Sequence, residues 1–182
     1  MRINNADGLE YEVGVLMAKA IKDENYDYEL AKAMIDKFSG LDITHMAEGI
    51  EAELEGFTEA TVTDVLEQFN IEKWAYKVHE GEFNDDNELE DNFQDTLQNL
   101  NDNYKAFKLE EYFDDTVTVY IGKDKDIYVC MTSENGSNGE AVLYKVSNIE
   151  TVLEVTELWG KNLDIEEIDD IYCNMDSYVN SL

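Results

Sequence analysis

Residues 116–146 read TVTVYIGKDKDIYVCMTSENGSNGEAVLYKV, and this stretch decides the fold. Apolar and polar side chains alternate through Thr116-Val117-Thr118-Val119-Tyr120-Ile121, and Ile127–Met131 and Ala141–Val146 read as strands beside it. A period of two, rich in β-branched and aromatic residues, predicts strands. Gly122-Lys123-Asp124-Lys125-Asp126 is a short hairpin loop, and Asn135-Gly136-Ser137-Asn138-Gly139 is a looser polar link. The prediction is a three-stranded antiparallel meander. Such a sheet needs helices on a face to be stable.

On either side of this stretch the period is 3.6. Leu9, Val13, Leu16, Met17, Ala20 and Ile21 share one helical face, and Asp7 with Glu10 offers a capping-box-like start. A second helix is predicted from Tyr28 to Phe38, with Asp27 as N-cap and Gly40 beyond its end. A third starts near Thr44, buries Met46, Ala47, Ile50 and Leu54, and is broken by Gly56. A fourth starts near Thr58 or Thr61 and buries Val62, Val65, Leu66 and Phe69. Trp74, Tyr76 and Val78 alternate as in a short strand. From about Asn87 a helix is predicted with an apolar face of Leu89, Phe93, Leu97, Leu100, Tyr104 and Phe107.

After the meander, Asn148 caps a helix holding Ile149, Val152, Leu153, Thr156 and Trp159, which Gly160 stops. Asp164 and Glu167 form a capping box for a last helix with the stripe Ile168, Ile171, Tyr172, Met175 and Val179. The expected fold is therefore α+β: a helical N-terminal part packed with a three-stranded antiparallel meander, followed by two C-terminal helices. A mainly helical part at 1–112 and a meander with helices at 113–182 is one division; a single domain is the other. Proline is absent, so glycine and Asn/Asp provide the breaks.

Composition bounds the function. Hydrophobic residues make up 43% of the 182-residue chain and aromatics 11%, enough for a core and more than a disordered chain carries. Asp and Glu total 43 against 13 Lys and Arg, a net charge of −30. That balance excludes ordinary binding to a phosphate backbone and disfavours an anionic membrane surface. It favours cationic partners. Cys130 and Cys173 fit no disulfide framework or zinc pattern, and two buried free thiols are expected. Met1-Arg2-Ile3-Asn4-Asn5 has no apolar signal segment, and no apolar run approaches the roughly 20 residues of a membrane span. A cytoplasmic protein is expected.

Catalytic motifs are missing. No Lys has an acidic residue two positions before it, and the P-C-x-x-C, H-E-x-x-H, G-x-S-x-G, G-x-x-x-x-G-K and G-x-G-x-x-G patterns do not occur. His45 and His79 read as a helix-terminal and a loop histidine. Asp85-Asp86-Asn87-Glu88 resembles a calcium loop only loosely, since Leu89 and Glu90 stand where an oxygen ligand and a glycine are needed. No catalytic residue, metal site or cofactor is assigned, and an enzyme is not expected.

The acids themselves are the candidate site. Glu80, Glu82, Asp85, Asp86, Glu88, Glu90, Asp91 and Asp95 form the most acidic tract, Asp102 continues it along the helix, and Asp164, Glu166, Glu167, Asp169 and Asp170 crowd the last helix's first turn. Carboxylates at i, i+3 and i+7 line up along one side of a helix. Glu88, Asp91, Asp95 and Asp102 would thereby present anions to the Lys and Arg rows of a nucleic-acid-binding groove. A single charge run is ordinarily a solvated face. The imbalance of the whole chain is what favours a binding surface here.

In these respects the chain resembles, as a class, the anti-CRISPR and antirestriction proteins of phages and mobile elements: small, acidic α+β proteins without a catalytic motif, several of which mimic nucleic acid. The resemblance is compositional and spans the chain. It implies an inhibitor whose partner is a basic nucleic-acid-binding protein, either a CRISPR effector nuclease or a restriction enzyme, in the host cytoplasm, with no direct binding to nucleic acid. Two alternatives stay open: an immunity protein or antitoxin that neutralises a basic nuclease toxin, and a metal-dependent nuclease built from scattered carboxylates.

Overall fold

Helices α1 (Ala6–Lys22), α2 (Tyr28–Ile35), α3 (Thr44–Leu54) and α4 (Val62–Gln68) form where the sequence has its 3.6-residue period. The computed structural model describes residues 6–23, 28–35, 37, 40–84, 88–112, 115–133, 139–160, 163 and 165–179. Residues 1–76 make one compact unit and residues 77–182 a second.

The first unit is helical and has its own core. Val13 and Met17 of α1, Ala31 of α2, Met46, Ala47 and Ile50 of α3, and Val65 and Leu66 of α4 are buried together with Phe69 and Trp74. α1 and α3 cross in close contact because each presents a glycine. A methyl group on Gly14 would stand 2.0 Å from the Met46 carbonyl oxygen, and one on Gly49 would stand 2.1 Å from that of Tyr11. α4 starts at the second of its two candidate caps. The Thr61 hydroxyl accepts the Asp64 N–H, and the Asp64 carboxylate accepts the Thr61 N–H at 2.7 Å, a complete capping box. After α3 the chain turns at Gly56, whose φ is +76°. The start of α1 differs from expectation: Asp7 already lies inside the helix and so is not its cap. Asp27, the expected cap of α2, and Phe38 lie outside the described residues.

The strands are β1 (Ala75–Glu82), β2 (Lys105–Tyr112), β3 (Asp115–Ile121), β4 (Ile127–Ser133) and β5 (Glu140–Val146), in the order β1-β5-β4-β3-β2. The expected meander is thus the centre of a five-stranded sheet. Its register pairs Val119 with Val129 and Val129 with Tyr144. Gly122 donates its N–H to the Asp126 carbonyl at 2.9 Å, and Lys125 takes a positive φ to close the β3–β4 hairpin. The Phe83 N–H donates to the Gly139 carbonyl, so the end of β1 meets the start of β5.

Helix α5 (Asp91–Asn103) is shorter than its apolar period suggests at both ends. Glu88 precedes it, and Tyr104 and Phe107 follow it. Tyr104 is already extended (φ −122°, ψ 155°), and from Lys105 the chain pairs with β3. The spacing of Tyr104 and Phe107 continues a helical stripe, but the unsatisfied backbone edge of β3 competes for the same residues and wins. The division considered at residue 112 falls inside the second unit, between two paired strands.

Alternation gives the sheet two apolar faces. Tyr120, Cys130, Ala141 and Leu143 point to one side, where Leu89 and the α5 residues Phe93 and Leu100 cover them. Val117, Val119, Ile121, Val129, Met131, Val142 and Val146 point to the other and are buried too. Helix α6 (Thr151–Leu158) packs on β5, and α7 (Ile165–Val179) packs on α6. Asn148 accepts the Thr151 N–H at 3.0 Å, and Gly160 ends α6 with φ +75°. On α7, Ile168 and Ile171 are buried, whereas Tyr172, expected in the same stripe, is 56% exposed. The helix turns Tyr172 off the buried line that Ile168 and Ile171 set. Asp164 lies outside the described residues. Among the described residues no helix is long and apolar enough to cross a membrane.

Candidate acidic interface

The register of β1 decides where its acids point. Gly81 faces α5: a methyl group there would lie 3.1 Å from the Phe93 ring. His79, two residues back and therefore on the same side, stacks on that ring with centroids 4.9 Å apart and planes 4° apart. His79 is thus a strand residue and not the loop histidine that the sequence suggested. With His79 and Gly81 held against Phe93, Glu80 and Glu82 are turned to the opposite side, and both are exposed.

Two further glutamates join them. Glu140 opens β5, the neighbour of β1. Glu90 is the N-cap residue of α5, and its carboxylate makes no capping bond. Together Glu80, Glu82, Glu90 and Glu140 line one cavity of about 290 Å³, with Gly81, Ala141 and the Trp159 indole as its less polar walls. Lys77 pairs with Glu80 at 2.8 Å. Among the described residues, no cation pairs with Glu82, Glu90 or Glu140. A concave space of this size fits a side chain better than a large ligand. Its lining is suited to an ammonium or guanidinium group, with carboxylates for charge and an indole for cation–π contact.

From Glu90 the negative charge continues along α5. Phe93 and Leu100 face the sheet, so Asp91, Asp95 and Asp102 lie exposed on one outer stripe, with Gln98 between them donating to Asp102 at 2.9 Å. Glu88 is exposed but stands before the helix. Its N–H donates to the Asn84 side chain and its carbonyl accepts the Asn84 N–H, both at 2.9 Å, so positions 84 and 88 are tied together. Asp85 and Asp86 lie outside the described residues.

The α7 acids belong elsewhere. Glu166, Asp169 and Asp170 are exposed, and Glu167 is on the same helix. Asp170 lines a separate cavity beside β2, and none of these residues lines the cavity of the four glutamates. The expected patch is therefore resolved into one array at β1, β5 and α5 and another on α7. Glu140 and Trp159 were not legible as members of the first array, because the pairing of β5 with β1 brings Glu140 there and the packing of α6 on β5 carries Trp159. Among the described residues, no group of three or more His, Cys, Asp or Glu side chains is placed to hold a metal ion.

Other reactive groups sit apart from these acids. His45, near the start of α3, contacts Glu48 at 3.1 Å. Both cysteines are free, but only Cys130 is buried, and Cys173 is exposed on α7. Burial pushes the Cys130 thiol up to about 12, which keeps it protonated. Burial likewise pushes Tyr120 up to about 12, with Cys130 nearby adding to the effect. No family model, curated protein or solved structure matches the chain.

Proposed function

We propose that the protein is an inhibitor that occupies the basic nucleic-acid-binding surface of a defence nuclease, a CRISPR effector or a restriction enzyme, by presenting carboxylates where phosphates normally sit. The observation that supports this is that Glu80, Glu82, Glu90 and Glu140 line one concavity, and that Glu90 directly precedes the exposed Asp91–Asp95–Asp102 stripe of α5. Asp91 to Asp102 spans about 16 Å of helix at 1.5 Å per residue. One DNA strand has about five phosphates over that length, at one per 3.4 Å. Three aspartates are a sparse copy of such a row. The glutamate cavity at the head of the helix is what supports a specific grip, with one Lys or Arg of the nuclease seated against Trp159. Complementarity of this kind speeds encounter and selects the partner, while the bulk of the protein blocks the groove.

The test is capture and inhibition. Immobilised protein is incubated with bacterial lysates and with a panel of restriction and CRISPR nucleases, then washed from about 0.1 M to about 1 M salt, across which the Debye length falls from ~10 Å to ~3 Å. A captured nuclease should elute as salt rises and should be blocked from cutting labelled DNA without any turnover by the inhibitor. The E80Q/E82Q/E90Q/E140Q variant should lose roughly tenfold or more in affinity. Capture that neither salt nor these four amides weaken would remove the basis for mimicry.

A further inference from the structure

The second cavity lies at the other edge of the sheet and has a different character. Among the described residues strand β2 pairs with β3 alone, and its far edge ends the sheet. A cavity of about 440 Å³ is lined by Lys105, Ala106, Phe107, Lys108 and Leu109 on the strand side and by Asp170, Ile171 and Asn174 of α7 on the other. Alternate side chains of a strand point to opposite faces. A cavity that touches five consecutive residues therefore opens onto the strand's hydrogen-bonding edge. Among the described residues, none outside β3 hydrogen-bonds to the backbone of Lys105–Leu109.

We propose that this edge takes up an extended acidic peptide as an added strand between β2 and α7. Strand addition supplies affinity through backbone hydrogen bonds and specificity through alternate side chains. Lys105 pairs across the sheet with Ile121 and Lys108 with Thr118, residues of opposite faces, so the two ammonium groups flank the edge from both sides. Both are exposed, in a chain with only 13 basic residues. Opposite charges on facing positions of a sheet attract. Between them, half-buried Phe107 lies on the face of Lys105, and the Lys105 Nζ stands 6.0 Å from its ring centre. The half-buried Phe107 ring favours an apolar group opposite it, and the exposed Asp170 carboxylate on the helix wall repels an anion there. In the antiparallel sense the recognised peptide reads acid, apolar, any residue, acid.

Lysines and bulges also serve to block the pairing of sheet edges. Here the register shift lies between Lys108 and Glu110, beyond the four residues that would bind, and α7 stands off the strand instead of closing over Phe107. Among the described residues this is an open slot and not a covered edge. It does not depend on the acidic array at β1.

Fluorescence anisotropy with the labelled peptide Thr-Glu-Val-Thr-Glu-Thr and the full chain tests the proposal. Binding should be saturable, should fall roughly tenfold or more when both Glu are Gln, and should vanish when alternate peptide nitrogens are N-methylated. The K105E/K108E variant should lose the acidic peptide and gain its Lys-for-Glu counterpart, with circular dichroism unchanged from the parent. Absence of binding, or equal binding of the N-methylated peptide, would overturn strand addition. Self-association of the chain that K105E/K108E abolishes would assign the edge to a second copy and overturn the peptide.

Discussion

Thr61 shows how far one side chain reaches. Its hydroxyl and N–H both engage Asp64, so two helix-terminal donors are satisfied at the start of a seven-residue helix. A helix that short has no stability of its own. Thr61→Ala should cost about 1 kcal/mol, read as a lower urea midpoint with unchanged slope. Cys130 makes a prediction in pH. Its thiol is raised from 9.0 to about 12 and Tyr120 from 10.0 to about 12, both by burial first. In the unfolded chain these groups release their protons earlier than in the native one. The stability that comes from keeping them neutral is therefore fully present below pH 9.0 and is lost as pH rises toward 12. Urea midpoints followed by circular dichroism should fall over that window. Cys130→Ala should start lower, because it leaves a cavity, yet decline less steeply. The two cysteines look alike in sequence, and only the packing of β4 under α5 separates buried Cys130 from exposed Cys173.

Among the elements, the α1–α3 crossing gives the sharpest prediction. Gly→Ala within a helix normally gains about 1 kcal/mol from propensity. At Gly14 and Gly49 the added methyl would meet a backbone carbonyl oxygen at 2.0 Å and 2.1 Å, which cannot move without the helix. Overpacking should win, with a net loss of about 1–3 kcal/mol for Gly14→Ala or Gly49→Ala. Gly40→Ala, whose methyl among the described residues would meet the Asp42 oxygen alone, at 3.9 Å, is the control and should stay within about 0.5 kcal/mol. Equal midpoints for all three variants would contradict so close a crossing. The same scale shows where periodicity misleads. Leu97, Leu100, Tyr104 and Phe107 form one helical stripe on paper, yet α5 ends at Asn103 and Phe107 lies in β2. Apolar residues every three or four positions mark a helix only until another partner for the backbone is closer.

The whole molecule carries a net charge of −30, and its self-repulsion is a cost on the folded state. Salt should relieve it. The melting temperature should rise by several degrees between about 0.01 M and about 1 M NaCl, as the Debye length drops from ~30 Å to ~3 Å. The E80Q/E82Q/E90Q/E140Q variant should melt higher than the parent at low salt, with the gap closing at high salt. A surface kept acidic at the expense of stability is what a binding role predicts. If the variant melts like the parent at every salt concentration, the four glutamates do not repel one another and the cavity is not the electrostatic focus proposed.

By itself the sequence determined everything that a local period encodes: the three central strands and their hairpin, the four N-terminal helices with Thr61 and Gly56 at their boundaries, and the C-terminal helices, together with the acidic balance of the chain. Tertiary structure alone decided what depends on partners distant in the chain. Those are the strand β2, the place of β1 beside β5, the early end of α5, the meeting of Glu140 with Glu80, Glu82 and Glu90, and the separation of the α7 acids from them. The physical reason is that a side-chain pattern records which face is buried, whereas a strand's neighbour is set by backbone hydrogen bonds, which every residue offers alike.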